Sequence, residues 1–344
     1  MVPARSSVSR FSCLPALAIL ALAFGGAPAP ARAATAPADR KPVSANLRLN
    51  FLINEKHAPF LFGIEKGFYA EQGIDLTVVE GKGSLAAVQL VANRSDTFAF
   101  ADSTSAVIVA AGGGAVKTVA VIQQRSPVVA ISFKPLTQPT DLYGKTVGLN
   151  PVGVGTLWEA FVAQNRLDQS RMTVITMDGP SLLPALLSGR LDATIGLANT
   201  EGAAAPLLSG KDAHLLYFAD FGTNTLAHGI VVHRDTIEQQ PDLVRRFLAA
   251  TVKAWDDALA QKGAAVEALL KRFPDAKREV VTRQFEMTLP LLHTAATRGQ
   301  PLGFTAESDV KATLELLTRF GGLKTPPSPA DVYTNAFLPT RGPR

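Results

Sequence analysis

Cysteine is all but missing from this chain: its 344 residues include one, Cys13. A single thiol closes no internal disulfide and assembles no cysteine-ligated zinc or iron–sulfur centre, so the fold must rest on its apolar core. Long hydrophobic runs are scarce as well. The run Phe11–Phe24 is stopped by Gly25, Gly26 and Pro28, short of the roughly 20 residues that a spanning helix needs. Arg5 and Arg10 precede it and Ala31-Arg32-Ala33 follows it. This is the positive start, short greasy centre and small-residue exit of a secretory signal, expected over residues 1–33 with cleavage after Ala33. Cys13 would leave with that signal, and its place at the start of the greasy run argues against a lipid anchor. A surplus of charge is also lacking. The pI of 9.3 overstates the basicity, because the signal takes three arginines and no acids and leaves 31 bases against 29 acids. With no long basic block, nucleic-acid binding is not expected.

What remains, about 310 residues, suits roughly two domains. From Leu47 onward short apolar runs alternate with amphipathic stretches, the pattern of an α/β protein with largely parallel strands. The runs predict strands at Leu47–Ile53, Ile74–Val79, Thr97–Ala101, Val116–Ile122 and Val128–Phe133. Helices are predicted over Pro59–Gln72, Ser84–Asn93 and Ser103–Ala111, with Phe60, Ile64 and Phe68 as one buried stripe and Gly73 as a left-handed stop. Pro135 and Pro139 then interrupt the pattern, and the stretch around them reads as a passage between two lobes. A second unit follows, with strands at Thr146–Leu149, Thr173–Met177 and Ala193–Gly196 and helices at Thr156–Asn165 and Ser181–Ser188; another strand, Gly229–His233, is expected to lead back. The rest is helical, with Val244, Leu248, Thr251, Trp255 and Leu259 in register, and is expected to return over the first unit.

Four segments, "GIEKGFYAEQGIDLTVVEGKG", "NRSDTFAFADST", "DLYGKTVGL" and "PALLSGRLDATIG", stand in the order and spacing of the periplasmic solute-binding proteins of ABC importers. Over about residues 46–338 the chain resembles the group that binds nitrate, aliphatic sulfonates, taurine and pyrimidine precursors of thiamine. The resemblance implies a two-lobed α/β fold of the type II periplasmic-binding-protein kind, each lobe a mostly parallel sheet flanked by helices, with the helical tail packed on the first lobe. It implies residues 46–140 plus 235–338 as lobe 1 and 141–234 as lobe 2, closing on a solute and presenting it to a membrane permease and its ATPase. This architecture works as a monomer. The location implied is the periplasm.

Ligands of such folds sit where strand ends meet helix starts. Four junctions qualify: Asn54–Pro59 with His57; Gly81-Lys82-Gly83-Ser84; Asp102-Ser103-Thr104-Ser105; and Gly153-Val154-Gly155-Thr156. Their backbone N–H groups and helix ends suit an anionic oxygen. Helix capping alone explains Ser84, Asp102, Ser103 and Thr156 equally well, and tight turns alone explain Gly83 and Gly155. His57, ahead of a proline suited to a first helical turn, is either a solute contact or a cap. Gln123 and Gln124 end the fourth strand and either bond a solute or face water. Asn199 and Glu201 follow the "DATIG" strand, where the family often places a cleft residue. His228 precedes the return strand and could approach the cleft. No arginine lies in the four turns, which leaves Lys82 as the fixed cation expected nearby.

No histidine spacing forms a metal site, no cofactor is expected, and there is neither a G-x-S-x-G elbow nor a Walker loop. Fungal pyrimidine synthases resemble this group and use pyridoxal phosphate and iron, but Phe100–Ser105 here has neither the lysine nor the histidine that those enzymes carry in that segment. Binding without catalysis is therefore expected. The expected guest is a small organic anion (a sulfonate, a taurine-like molecule or an aromatic carboxylate); a pyrimidine thiamine precursor is the alternative.

Overall fold

A computed structural model describes residues 41–340; the expected signal, residues 1–33, lies outside the described residues. Ten strands form two five-stranded sheets. They are β1 (Val43–Leu49), β2 (Ile74–Val79), β3 (Phe98–Asp102), β4 (Val116–Val121), β5 (Val128–Ser132), β6 (Thr146–Leu149), β7 (Thr173–Thr176), β8 (Ala193–Leu197), β9 (His214–Tyr217) and β10 (His228–His233). The first sheet has the order β2-β1-β3-β10-β4 and the second β7-β6-β8-β5-β9. In each, one strand is reversed: β10 runs antiparallel to β3 and β4, and β5 antiparallel to β8 and β9. Each reversed strand has just arrived from the other sheet, so it enters at the edge where its neighbours end.

The crossings are therefore residues 122–127 and 222–227, and two boundaries read from the sequence move. β5, counted with lobe 1, belongs to the second sheet, and β10, counted with lobe 2, belongs to the first. The proline-punctuated stretch lies inside the second half, where Pro139 opens a 3-10 turn, Pro139–Leu142. The true crossing after β4 is short and joins two apolar strands, so it leaves no compositional break. β9 also escaped prediction: four residues offer too little alternation to reveal a strand.

Helix ends shift for identifiable reasons. The predicted helix 59–72 is two, Ala58–Glu65 and Phe68–Glu71, separated by Gly67 at φ 78. Phe60 of the predicted stripe is fully buried, but Ile64 is partly exposed. Gly73 takes φ 65 as expected. Helix Pro151–Gln164 begins five residues early because Asn150 accepts from the N–H of Val152 at 3.2 Å and caps it.

Aromatic pairs hold each half. Phe98 stacks on Phe247 at 3.8 Å between ring centroids in the first, and Phe161 on Phe218 at 3.9 Å in the second. Helix Pro241–Ala260 packs along helix Ala58–Glu65, and its buried face includes Val244, Leu248, Thr251 and Trp255. The tail also reaches across: helix Glu307–Phe320 touches helix Pro151–Gln164, and helix Arg278–Thr288 touches helix Glu201–Ser209. Among the described residues no helix is long and apolar enough to cross a membrane.

Candidate functional site

Because β1, β3 and β4 run the same way and β10 is reversed, the ends of the first three and the start of the fourth share one edge of the sheet. His228, first in β10, stands opposite Asp102, last in β3. The crossing 222–227 is tied to that edge: Ser103 donates its N–H to the Ala227 carbonyl at 2.7 Å, and Ala227 to that of Gln123 at 3.0 Å. β1 ends at Leu49, earlier than predicted, and frees Asn50 to turn inward. A 3-10 turn, Glu55–His57, follows, with all three residues buried.

A continuous chain of hydrogen bonds joins these pieces. The Asn54 N–H donates to Nδ1 of His57 at 3.1 Å. His57 Nε2 lies 2.9 Å from Oδ1 of Asn50, whose Nδ2 lies 3.1 Å from Nε2 of His228; His228 Nδ1 lies 2.9 Å from Oε1 of Gln123. Phe100 packs between the two imidazoles, edge to face with His57 and stacked with His228 at 5.4 Å. Burial first, then the charge of Lys56, pushes His228 down to about 3. The same two causes and then His228 hold His57 well below 6.5. Both rings are neutral at physiological pH.

From the other sheet, Asn199 donates through Nδ2 to Oε1 of Glu55 at 2.9 Å, and both residues are buried. Burial raises the Glu55 carboxyl; Lys56, beside it, pulls the other way. Burial likewise raises Asp102, to about 6, against the bonds from Thr104 that lower it.

Five polar atoms of this cluster are buried and have no hydrogen-bond partner within the protein: Asn54 Oδ1, Glu55 Oε2, Ser103 Oγ, Gln123 Nε2 and Asn199 Oδ1. An unsatisfied buried polar group costs about 1–3 kcal/mol. Five together approach the whole stability of an ordinary domain, roughly 5–15 kcal/mol. Such a concentration makes physical sense where a guest completes the bonding. Beside Asn54 and Glu55 a cavity of about 620 Å³ opens, walled by Ile53, Leu269, Phe273 and Val281 with Arg272 and Lys277 among its lining residues; Ser103, Gln123 and Asn199 do not line it. Its size is ordinary for a small-molecule site.

Of the residues singled out in the sequence, Asn54, His57, Ser103, Gln123 and Asn199 belong to this cluster. Others are committed elsewhere. The Gly83 N–H donates to the Asn50 carbonyl at 2.7 Å, and Ser84 Oγ accepts from the N–H of Asp102 at 3.1 Å. Asp102 Oδ1 accepts from the Thr104 N–H at 2.9 Å and from the Thr104 hydroxyl, capping helix Ser103–Ala111. Gly155 and Thr156 lie inside helix Pro151–Gln164 instead of in a turn before it. Gln124 is tied to the Phe304 and Val121 carbonyls and to Thr297, and Glu201 Oε2 accepts from the Leu197 N–H at 2.9 Å.

The cation is misplaced in the sequence reading. Lys82 is exposed and lines a separate surface cavity with Arg48 and Glu80; among the described residues the buried cation is Lys56. Asn50, Glu55 and Lys56 were missed, although a signal existed for two of them: Glu55 and Lys56 are an adjacent acid and base inside the junction Asn54–Pro59. Among the described residues no group of three His, Cys, Asp or Glu side chains is placed to hold a metal ion.

The profile described as "NMT1/THI5 like" matches residues 54–265, well over half of the chain and from the 3-10 turn onward. The chain belongs to the NMT1/THI5-like family. This NMT1/THI5-like chain is 28% identical over 341 residues to the riboflavin-binding protein RibY of Chloroflexus aurantiacus, covering 94% of itself and 96% of that protein. It is 24% identical over 266 residues to the formylaminopyrimidine-binding protein of Halalkalibacterium halodurans (75% and 79% covered). It is 23% identical over 248 residues to a 4-amino-5-hydroxymethyl-2-methylpyrimidine phosphate synthase of Legionella pneumophila (71% and 78%). Its fold matches the crystal structure of the periplasmic aliphatic sulphonate binding protein SsuA from Escherichia coli with a TM-score of 0.67, at 13% identity, over 88% of this chain and 96% of that one. The two-lobed type II binding-protein fold follows from the two sheets and their crossings together with that likeness.

Proposed function

We propose that this protein is the periplasmic solute-binding component of an ABC importer, and that its solute is a neutral nitrogen heterocycle with a hydrogen-bond donor beside an acceptor, of the pyrimidine or flavin class. One observation carries the choice of solute: the cluster leaves amide groups of opposite kind unpaired. Asn199 is oriented by its bond to Glu55, so its free Oδ1 can only accept, whereas the free Nε2 of Gln123 can only donate. A lactam or aminopyrimidine edge meets both. A sulfonate, nitrate or carboxylate brings acceptors alone and leaves Asn199 and Asn54 unpaired, at about 1–3 kcal/mol each. Several helix-end amides expected to seat an anion are also spent, those of Gly83, Ser103 and Thr104 among them. This favours the pyrimidine alternative over the organic anion. The ligands named for two of the relatives, riboflavin and a formylaminopyrimidine, are of this kind.

Closure follows from the same chemistry. A guest that pairs with Asn199 from one lobe and with Gln123 and Ser103 from the other binds the closed form more tightly than the open one, which is the condition for ligand-driven closure. The closed protein then docks, as a monomer, on a permease with its ATPase. One relative is named a synthase; binding without turnover remains the better reading here, because Phe100–Ser105 carries neither lysine nor histidine and all four imidazole nitrogens of His57 and His228 are taken up in the hydrogen-bond chain. The test is calorimetric titration with riboflavin, formylaminopyrimidine, taurine, an alkanesulfonate and nitrate, followed by mass analysis of the recovered ligand. Micromolar binding of a heterocycle returned unaltered is expected. Preference for an oxyanion refutes the solute class, and an altered ligand refutes the binding-only role.

A further inference from the structure

The direction of every bond in the histidine chain follows from a single fixed donor. A backbone N–H can only donate, so Nδ1 of His57, 3.1 Å from the Asn54 nitrogen, is an acceptor and carries no proton. In a neutral ring the proton then sits on Nε2, which donates to Asn50 Oδ1 at 2.9 Å. Asn50 must present its NH2 to Nε2 of His228 at 3.1 Å, which leaves the proton of that ring on Nδ1. That proton is donated to Gln123 Oε1 at 2.9 Å. With its oxygen occupied, Gln123 has its amide orientation decided, and its buried Nε2 is left without a partner as a donor. No step has an alternative while both rings are neutral: reversing any one would set two acceptors or two donors against each other.

We propose, building on the reading of the site given above, that Gln123 is the residue that demands an acceptor on the ligand, and that Asn50, His57 and His228 are positioning residues that orient its amide from a distance. His57, at the junction that first suggested a ligand contact, then acts on the solute only through the chain. Without the chain, Gln123 could present oxygen or nitrogen at similar cost and would accept ligands with either group in that place. With it, one edge is excluded. Two of its members, His57 and Gln123, are buried, and both imidazoles pack against Phe100.

The tautomers can be read without any ligand, by two-bond proton–nitrogen NMR of the imidazole rings, assigned with His57→Gln and His228→Gln. His57 is expected to carry its proton on Nε2 and His228 on Nδ1. In Asn50→Asp the carboxylate still accepts from His57 but cannot donate to His228, so His228 is expected to move its proton to Nε2 or to become doubly protonated. Gln123→Glu keeps the acceptor for His228 and replaces the donor with an oxygen. Binding of riboflavin and of formylaminopyrimidine is expected to weaken more than 10-fold in Gln123→Glu, and also in Asn50→Asp wherever the His228 proton has moved to Nε2, with circular dichroism unchanged. Wild-type protein with the His228 proton on Nε2 overturns the positioning role, as does tight binding retained by Gln123→Glu. If neither compound binds the wild type, the solute class fails, and the tautomers still decide the orientation of Gln123.

Discussion

Acid sensitivity offers a quantitative test of the two linked imidazoles. His228 falls from 6.5 in the unfolded chain to about 3 in the fold, so between those values the unfolded chain binds a proton that the native state refuses. Stability from this group is complete above pH 6.5 and is lost as the pH falls toward 3. At pH 5 the loss is about 2 kcal/mol, 1.36 kcal/mol for each of the 1.5 units below 6.5. His57, also lowered, acts in the same direction. Two carboxyls oppose them: Asp102, raised from 3.8 to about 6, gains stability as the pH drops through that window, and Glu55 is raised as well. The wild-type profile is therefore a partial cancellation, and the informative quantity is a difference. Urea unfolding of the wild type and of His228→Asn at pH 7 and pH 5 isolates it, since asparagine does not titrate. The stability advantage of the wild type is expected to shrink by about 2 kcal/mol between the two pH values. An advantage that stays constant within about 0.5 kcal/mol would refute a neutral His228.

Other substitutions probe separate parts of the argument. Asn199→Ala removes the bond that crosses to Glu55 at 2.9 Å and is expected to weaken heterocycle binding 10-fold or more by calorimetry while moving the melting temperature little. At Gly81 an added Cβ would lie 1.8 Å from the Leu49 carbonyl oxygen, so Gly81→Ala must displace the end of β1. A loss of about 2–3 kcal/mol in urea unfolding is expected, together with weaker binding through Asn50. Trp255→Ala empties a fully buried ring site against Phe60 and should cost about 3–5 kcal/mol. Lys82→Ala, at an exposed site, should leave binding unchanged, whereas Lys56→Met should raise the apparent pKa of both histidines in NMR titration, because the Lys56 charge holds them down.

Local pattern was enough for most of the strands and helices. β4 and β5 could be read to within a residue or two because burial on both faces requires near-continuous hydrophobicity, β2 because its buried and exposed residues alternate, and Gly73 announced its left-handed stop. The four quoted segments carried the family. Pattern was also enough to rule out a disulfide framework and a cysteine metal centre. What it could not carry was partnership between distant residues. Nothing in "VIQQRSPVV" says that the strand after the glutamines joins a different sheet, since a crossing and a tight connection have the same local composition. Asn50, His228 and Gln123 are separated by up to 178 positions, and only the reversed entry of β10 beside β3 brings them to one edge. The same holds for the polar atoms that define the solute. Asn199 could be named as a cleft candidate and Glu55 could not, but their pairing and burial, and therefore the cost of leaving them unpaired, exist only once the two halves meet.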